Sequence, residues 1–108
     1  MTDLQARVAQ SADAADLHAP VPTLLLELQT LLGALTATVT NSTERGRRPF
    51  RPAADWSNRL GELAYGVFLL ADQTGVEVGH VVELTAQHLE VRGQQAKAAS
   101  ENGWPFEG

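Results

Sequence analysis

The sequence predicts an all-α protein, a compact four-helix bundle. Apolar residues recur at spacings of three and four along most of the chain, and no stretch shows the alternation typical of a half-buried strand. Proline and glycine residues divide this pattern into four segments, which predicts four helices. A chain of 108 residues has room for one small core, so we expect oligomerisation, most simply a two-fold dimer.

Composition excludes several classes of function. The absence of cysteine excludes disulfides, thiolate metal sites and cysteine nucleophiles. A net charge of -5 argues against general binding to nucleic acid or to anionic lipid. We find neither an apolar run of the roughly 20 residues that a membrane span needs nor a secretory signal. We therefore expect a cytoplasmic protein without a membrane partner.

The two ends of the chain differ from its middle. Residues 1–20 form an N-terminal helix over residues 2–17, with Leu4, Val8 and Ala12 on one face, followed by a proline-rich turn. Residues 21–100 form the helical bundle. Residues 101–108 form an irregular tail, and we expect its Trp104 and Phe106 to pack on the body of the protein or on a partner chain.

The second helix opens at Pro22-Thr23 and has an unusually wide apolar face. The residues that recur at helical spacing are Leu24, Leu28, Leu31, Leu32, Leu35 and Val39. Leu25 and Leu26 widen the face, so this helix is central or lies in a dimer interface. Residues 41–52 form a polar loop that carries four of the chain's eight basic residues.

Two further helices follow the loop. The third runs over residues 56–73, with Asp55 as its N-cap and Gly75 as its left-handed stop. Its apolar side comprises Trp56, Leu60, Leu63, Ala64, Val67 and Ala71. The fourth runs from about residue 77 to residue 98, becomes polar from Gly93 onwards, and has an inward face of Val78, Val81, Val82, Thr85 and Leu89.

Four stretches in order, between residues 24 and 92, resemble the MazG-like, all-α nucleoside triphosphate pyrophosphohydrolases. They are the threonine-rich end of the second helix and residues 42–50, 60–64 and 68–77. The resemblance implies two helices that carry Glu-x-x-Glu and Glu-x-x-Asp. Residues three apart share a helical face, so such carboxylates together hold Mg²⁺, and pyrophosphate is released from a nucleoside triphosphate.

The motif positions of this chain have lost most of those acids. The first motif falls on Leu31-Leu32-Gly33-Ala34 and the second on Arg59-Leu60-Gly61-Glu62. Glu62 is the only retained acid, and Arg59 lies one turn before it, close enough to pair with it. We therefore expect a pseudoenzyme that needs no cofactor, with Glu62 as its sole candidate catalytic residue and metal ligand.

Arginine supplies the candidate phosphate-binding residues. A guanidinium group donates two parallel hydrogen bonds to phosphate oxygens. The resemblance implies that the loop lies beside the nucleotide pocket and that Arg92 matches a basic position on the last helix. The candidates are Arg45, Arg47, Arg48, Arg51 and Arg92. Two alternatives stay open for the loop: its charges are merely solvated, or they bind an acidic patch on a partner protein.

Aromatic and histidine residues give weaker signals. Trp56 and Tyr65 could stack on a base, but we expect Trp56 to pack in the core. His18, His80 and His88 lack the spacing of a zinc site, so we expect all three to be exposed.

Three functions remain open from the sequence. The first is a MazG-like protein without catalysis that binds a nucleoside triphosphate or a protein. The second is an active Mg²⁺-dependent pyrophosphohydrolase whose ligands are residues such as Glu27, Glu62 and Asp72. The third is a helical dimerisation module.

Overall fold

The computed structural model describes the backbone of residues 2–101 and the side chains of residues 4–99. It contains α1 (Thr2–Ala15), α2 (Val21–Ser42), α3 (Ala54–Gln73) and α4 (Val78–Glu101), and these described residues form no strand. The predicted all-α class is confirmed. The chain divides into two units, Met1–Val76 with three helices and Glu77–Gly108 with α4. The expected packing of Trp104 and Phe106 lies outside the described residues.

A small core holds the first unit together. Val8 and Ala12 of α1 are buried against Leu24 of α2 and Leu69 of α3. Leu4, predicted on the same face, is 55% exposed, so only two side chains of α1 enter the core. The helix ends at Ala15 rather than at residue 17, because Asp16 takes a left-handed φ of 56°.

Helix α2 runs through its threonine-rich end to Ser42, one residue past the start of the predicted loop. Side-chain hydroxyls of this segment donate to carbonyls three or four residues earlier, as Thr36 does to Leu32 and Thr38 to Leu35. Leu24 and Leu35 are buried, whereas Leu25, Leu26 and Leu32 are 46%, 63% and 52% exposed. The wide apolar face is therefore only partly covered within the described residues.

By length and composition alone, α2 is able to cross a membrane. It has 22 residues, and one 18-residue window has a mean hydropathy of 1.3. The expectation that no apolar run approaches the length of a membrane span is therefore wrong for α2. A core helix of a soluble protein passes the same test, so no location follows from it.

Helix α3 has a capping motif at its C-terminal end but no side-chain cap at its N-terminal end. The N-cap is Ala53, which makes no side-chain bond, and Asp55 lies inside the first turn, so the predicted Asp55 cap is wrong. At the other end Gly75 has a φ of 74°. The Gly75 and Val76 N–H groups donate to the carbonyls of Asp72 and Ala71, at 3.3 and 2.9 Å. This pair of backbone hydrogen bonds confirms that Gly75 ends the helix.

The buried face of α3 agrees only in part with the predicted one. Ala71 is buried as predicted, Leu69 is buried although it was not on the predicted side, and Leu60 and Val67 are 45% and 44% exposed. The reason is Gly66, because its missing side chain lets α2 approach that side of α3. A Cβ built at Gly66 would lie 2.6 Å from Leu28 Cδ2.

Helix α4 is the only helix of the second unit among the described residues. Glu77 caps it, since its Oε1 accepts a hydrogen bond of 2.6 Å from the His80 N–H. The helix continues to Glu101, three residues beyond the predicted end. A single helix cannot bury its own side chains, so the inward face expected for Val81 and Leu89 stays a prediction.

Candidate functional site

A groove of about 560 Å³ lies between α2 and α3 in the first unit. This volume falls within the range of small-molecule sites, roughly 300–1,000 Å³. The wall residues are mostly apolar: Leu17, Leu24, Glu27, Leu28, Leu31, Gly61, Glu62, Tyr65, Gly66 and Leu69. The groove is therefore an apolar site with two carboxylates.

Two glycines shape the α3 wall of this groove in different ways. At Gly66 the helices are in contact, because Leu28 Cδ2 occupies the space where a Cβ would be. At Gly61 a Cβ would have no heavy atom within 4 Å. The two helices therefore approach closely at Gly66, whereas Gly61 leaves the groove open.

The groove contains one acid position from each of the two motifs that the resemblance implies. Leu31, from the first motif, and Glu62, from the second, line it from opposite helices. Arg59 Nη1 donates to Glu62 Oε1 at 3.0 Å, and the two side chains are 45% and 49% exposed. The predicted Arg59–Glu62 pair is confirmed. An exposed pair of this kind stabilises a helix by only about 0.3–0.5 kcal/mol.

Glu27 joins Glu62 in the groove, but Asp72 does not. Asp72 lies ten residues beyond Glu62, a distance of about 15 Å along α3, and its carbonyl belongs to the C-cap. Among the described residues no group of three or more histidine, cysteine or acidic side chains could hold a metal ion. The ligand set Glu27, Glu62 and Asp72 is therefore not assembled.

Tyr65 links the groove to α1. Its hydroxyl lies 2.6 Å from Ser11 Oγ and 3.4 Å from the Val8 carbonyl, and Ser11 itself donates to that carbonyl at 2.9 Å. The phenol is held by α1 while its ring lines the groove. Trp56 is half-buried and packs edge-on against Phe50, with ring centroids 5.0 Å apart.

The basic loop after α2 has an unusual backbone. Glu44, Arg45 and Gly46 all have positive φ, at 50°, 61° and 91°. The turn is fastened by Thr43, whose Oγ1 accepts from the Gly46 N–H at 3.1 Å. Glycine adopts this conformation readily and arginine does not, so the turn carries some strain at Arg45.

The four loop arginines remain on the surface. Arg48 pairs with Glu44, with Nε and Oε2 2.5 Å apart, and both side chains are exposed. Arg48 and Arg51 line a second pocket of about 340 Å³ with Ser42 and Pro49. Arg45 and Arg47 are exposed but do not line it.

The arginine loop and the groove are separate places. From Leu31 to Ser42, the end of α2, the helix axis rises about 16 Å over eleven residues. A phosphate at the loop would therefore lie far from Glu62. Arg92 belongs to α4, in the other unit, so its predicted part in phosphate binding stays a prediction.

Sequence reasoning missed the role of His18, although its exposure is confirmed. His18 Nδ1 lies 3.1 Å from Gln73 Oε1, and Nε2 lies 2.6 Å from Asp13 Oδ1. Gln73 Nε2 donates to the Ala19 carbonyl at 2.6 Å, which turns its oxygen towards His18. These contacts join the turn after α1 to the end of α3. No spacing in the sequence signals a contact between residues 55 apart.

The hydrogen bonds to Gln73 and then to Asp13 raise the pKa of His18 above its ordinary value of 6.5. Desolvation, the next largest effect, lowers the pKa, and the charges of Asp13 and Asp72 raise it further. Both partners of the ring are acceptor oxygens, so the doubly protonated ring satisfies both bonds.

Comparison with known protein families, curated proteins and solved structures gave no match for this chain. The resemblance to MazG-like proteins therefore rests on the residues of the sequence alone and stays a prediction.

Proposed function

We propose that this chain is a MazG-like protein without metal-dependent catalysis, and that it acts by binding at the groove between α2 and α3. One observation carries the proposal. Leu31 and Glu62, which occupy positions of the two acidic motifs, line a single groove, yet leucine replaces one acid and Arg59 pairs with the other.

A catalytic Mg²⁺ needs several oxygen ligands held in near-octahedral geometry. Glu27 and Glu62 are the two acids that line the groove, and Arg59 places a positive charge beside the second. The arrangement therefore favours occupation by an apolar group over occupation by a hydrated cation. A buried leucine wall adds affinity for an apolar partner at about 25 cal/mol per Å² covered.

Pyrophosphate release tests the absence of catalysis. A panel of ribo- and deoxyribonucleoside triphosphates, with Mg²⁺ and then with Mn²⁺, is expected to show no turnover above that of the buffer. Glu62→Gln is the matched variant, because it removes the charge and keeps the side-chain size. Turnover that disappears in Glu62→Gln would overturn the proposal in favour of an active pyrophosphohydrolase.

The same proposal includes a homodimer formed through the uncovered part of α2. Val21, Leu25 and Leu32 are 36%, 46% and 52% exposed. They belong to a run with alternating spacings of four and three, the pattern of a helix that pairs with another helix: Val21, Leu25, Leu28, Leu32, Leu35 and Val39. Leu28 of this run lines the groove and Leu35 is buried within the chain, whereas the exposed residues Val21, Leu25 and Leu32 do not line the groove. A dimer formed through these three exposed residues leaves the groove available.

Sedimentation equilibrium tests the dimer. Leu25→Lys with Leu32→Lys is expected to give a monomer, because two charges cannot be buried unpaired in the seam. Thr30→Lys, on the opposite side of α2, is the control and is expected to remain dimeric. A wild-type monomer at micromolar concentration would contradict this part of the proposal.

Nucleotide binding at the arginine loop is a second candidate. Its specific support is the surface pocket that Arg48 and Arg51 share with Ser42. A nucleoside triphosphate is expected to raise the midpoint of thermal unfolding, and Arg51→Gln is expected to abolish the increase. An equal increase in the variant would exclude the loop as the phosphate site. An acidic patch on a partner protein would use the same charges.

The proposal also keeps a cytoplasmic location without a membrane partner. Two features support it: α2 carries the charged Glu27, and its Leu28 packs on Gly66 of α3 as a core helix does. Cell fractionation is expected to recover the protein in the soluble fraction.

A further inference from the structure

The charge of the groove between α2 and α3 selects among apolar ligands. Glu27 reaches it from α2 and Glu62 from α3. Arg59 balances Glu62 at 3.0 Å, whereas Glu27 has no ion-pair partner among the described side chains. None of the described lysine or arginine residues lines the groove. The apolar walls thus carry one uncompensated negative charge and a second that is only partly balanced.

The dimensions of the groove match a single short apolar chain. Its α2 wall extends from Leu24 to Leu31, about 10 Å along the helix axis. Its volume of about 560 Å³ is that of a site for one small molecule. The α3 wall is lowered at Gly61, where no side chain projects into the space.

We propose that this groove binds a small organic ammonium ion with an apolar body, its hydrocarbon against the leucines and its positive charge at Glu27 and Glu62. A neutral molecule of the same shape gains the apolar contacts but no charge interaction. An anion, including the triphosphate of a nucleotide, is repelled by both carboxylates. The selectivity of the groove is therefore opposite to that of a pyrophosphohydrolase site.

Three eight-carbon compounds test this selectivity, because they share an alkyl chain and differ in charge. Isothermal titration of the full chain with octylammonium, octan-1-ol and octanoate is expected to give affinities that fall in that order. Glu27→Gln is expected to weaken octylammonium binding by about threefold to fivefold and to leave octan-1-ol unchanged. Glu44→Gln removes an acid from the arginine loop instead and serves as the matched control.

Two further variants keep the test independent of folding defects. Arg59→Gln frees Glu62 from its partner, so it is expected to strengthen octylammonium binding, which a damaged fold would not do. Gly61→Leu places a side chain in the groove, at a position where a Cβ meets no described heavy atom within 4 Å, and is expected to abolish binding. Gly33→Leu, at a helical glycine that has equal open space and does not line the groove, is expected to bind as the wild type does.

Several results would overturn the inference. They are no octylammonium binding, octanoate binding as tight as that of octylammonium, or equal binding by Gly61→Leu. This inference rests on the proposed function, because it names the ligand class of the same groove, but the failures of the two are distinguishable. Pyrophosphate turnover that is lost in Glu62→Gln would overturn both, because the groove would then accept a triphosphate, whereas unselective or absent binding with no turnover would overturn the inference alone.

Discussion

Arg59 Nη1 lies 3.0 Å from Glu62 Oε1, one turn apart on the exposed side of α3. This ion pair engages the only acid that the second motif retains. Leu31, at a position of the first motif, lies in the same groove as Glu62. One position from each motif of the proposed MazG-like resemblance therefore lines the same groove, and of these two residues only Glu62 is an acid.

Restoring those acids is expected to create a metal site. A variant with Leu31→Glu, Ala34→Glu and Arg59→Glu has four carboxylates at the motif positions, and it is expected to bind Mn²⁺ in a calorimetric titration. Because Leu31 and Ala34 are half-buried, we expect a loss of about 1–3 kcal/mol in the free energy of unfolding. Circular dichroism checks that the variant remains helical.

The control for this experiment adds equal charge elsewhere. Leu26→Glu and Gln29→Glu place two acids at the same spacing on an exposed face of α2 that does not line the groove, and they are combined with Arg59→Glu. This variant is expected to bind no Mn²⁺ specifically. A folded motif variant that binds no better than the control would contradict the alignment of the motifs and the resemblance on which it rests.

The contacts of His18 predict a pH-dependent stability. The pKa of His18 is raised in the folded chain, so its contribution is fully present below the unfolded pKa of about 6.5. The contribution is lost as the pH rises through the higher folded value. Between about pH 5 and about pH 9, the stability difference between the wild type and His18→Ala is expected to shrink as pH increases.

Urea denaturation at each pH measures that difference. His88→Ala removes an exposed histidine from α4 and serves as the control, with no expected change across the range. Asp13→Asn is expected to reduce the pH dependence, because it removes one partner of the His18 ring. A difference that grows with pH would contradict the assigned contacts.

The bond between Ser11 and Tyr65 is expected to hold α1 on α3. Ser11→Ala and Tyr65→Phe each remove one hydroxyl of a pair 2.6 Å apart. Each variant is expected to lower the free energy of unfolding by about 0.5–1.5 kcal/mol. In a double-mutant cycle, the loss measured for the double variant should be smaller than the sum of the two single-variant losses, because both substitutions remove the same bond. Additive losses would show that the hydroxyls do not interact.

An N-cap is missing from α3 and is expected to be easy to supply. Ala53 has the extended backbone of a cap residue, with φ of -93° and ψ of 177°, but no side chain to accept a bond. Ala53→Asp is expected to raise the free energy of unfolding by about 1 kcal/mol. Ala53→Leu is the control without an acceptor, and an equal effect of both variants would contradict the assignment of the cap.

The sequence predicts the four helices and the Gly75 stop because both depend on local signals. Periodic leucines and a left-handed glycine act over a few residues, and so does the Arg59–Glu62 pair one turn apart. The buried face of α3 depends instead on how closely α2 approaches at Gly66. A count of apolar residues on α3 alone selects Leu60 and Val67, which are exposed.

The candidate site was predictable only in part for the same reason. Alignment with the motifs singles out Glu62 as a candidate. That Glu27 lines the same groove depends on the register of α2 against α3, which the sequence does not reveal. The bridge from His18 to Gln73 spans 55 residues and involves no recurring pattern. Contacts of this kind arise from packing, so they become visible only in the folded chain.

A Mn²⁺ titration followed by NMR distinguishes a groove that binds without a catalytic metal ion from a pyrophosphohydrolase site. Bound Mn²⁺ broadens the signals of nearby nuclei. We expect no selective broadening at Glu27, Glu62 or Tyr65 when Mn²⁺ is added with a nucleoside triphosphate. Selective broadening of these three residues, lost in Glu62→Gln, would contradict this expectation.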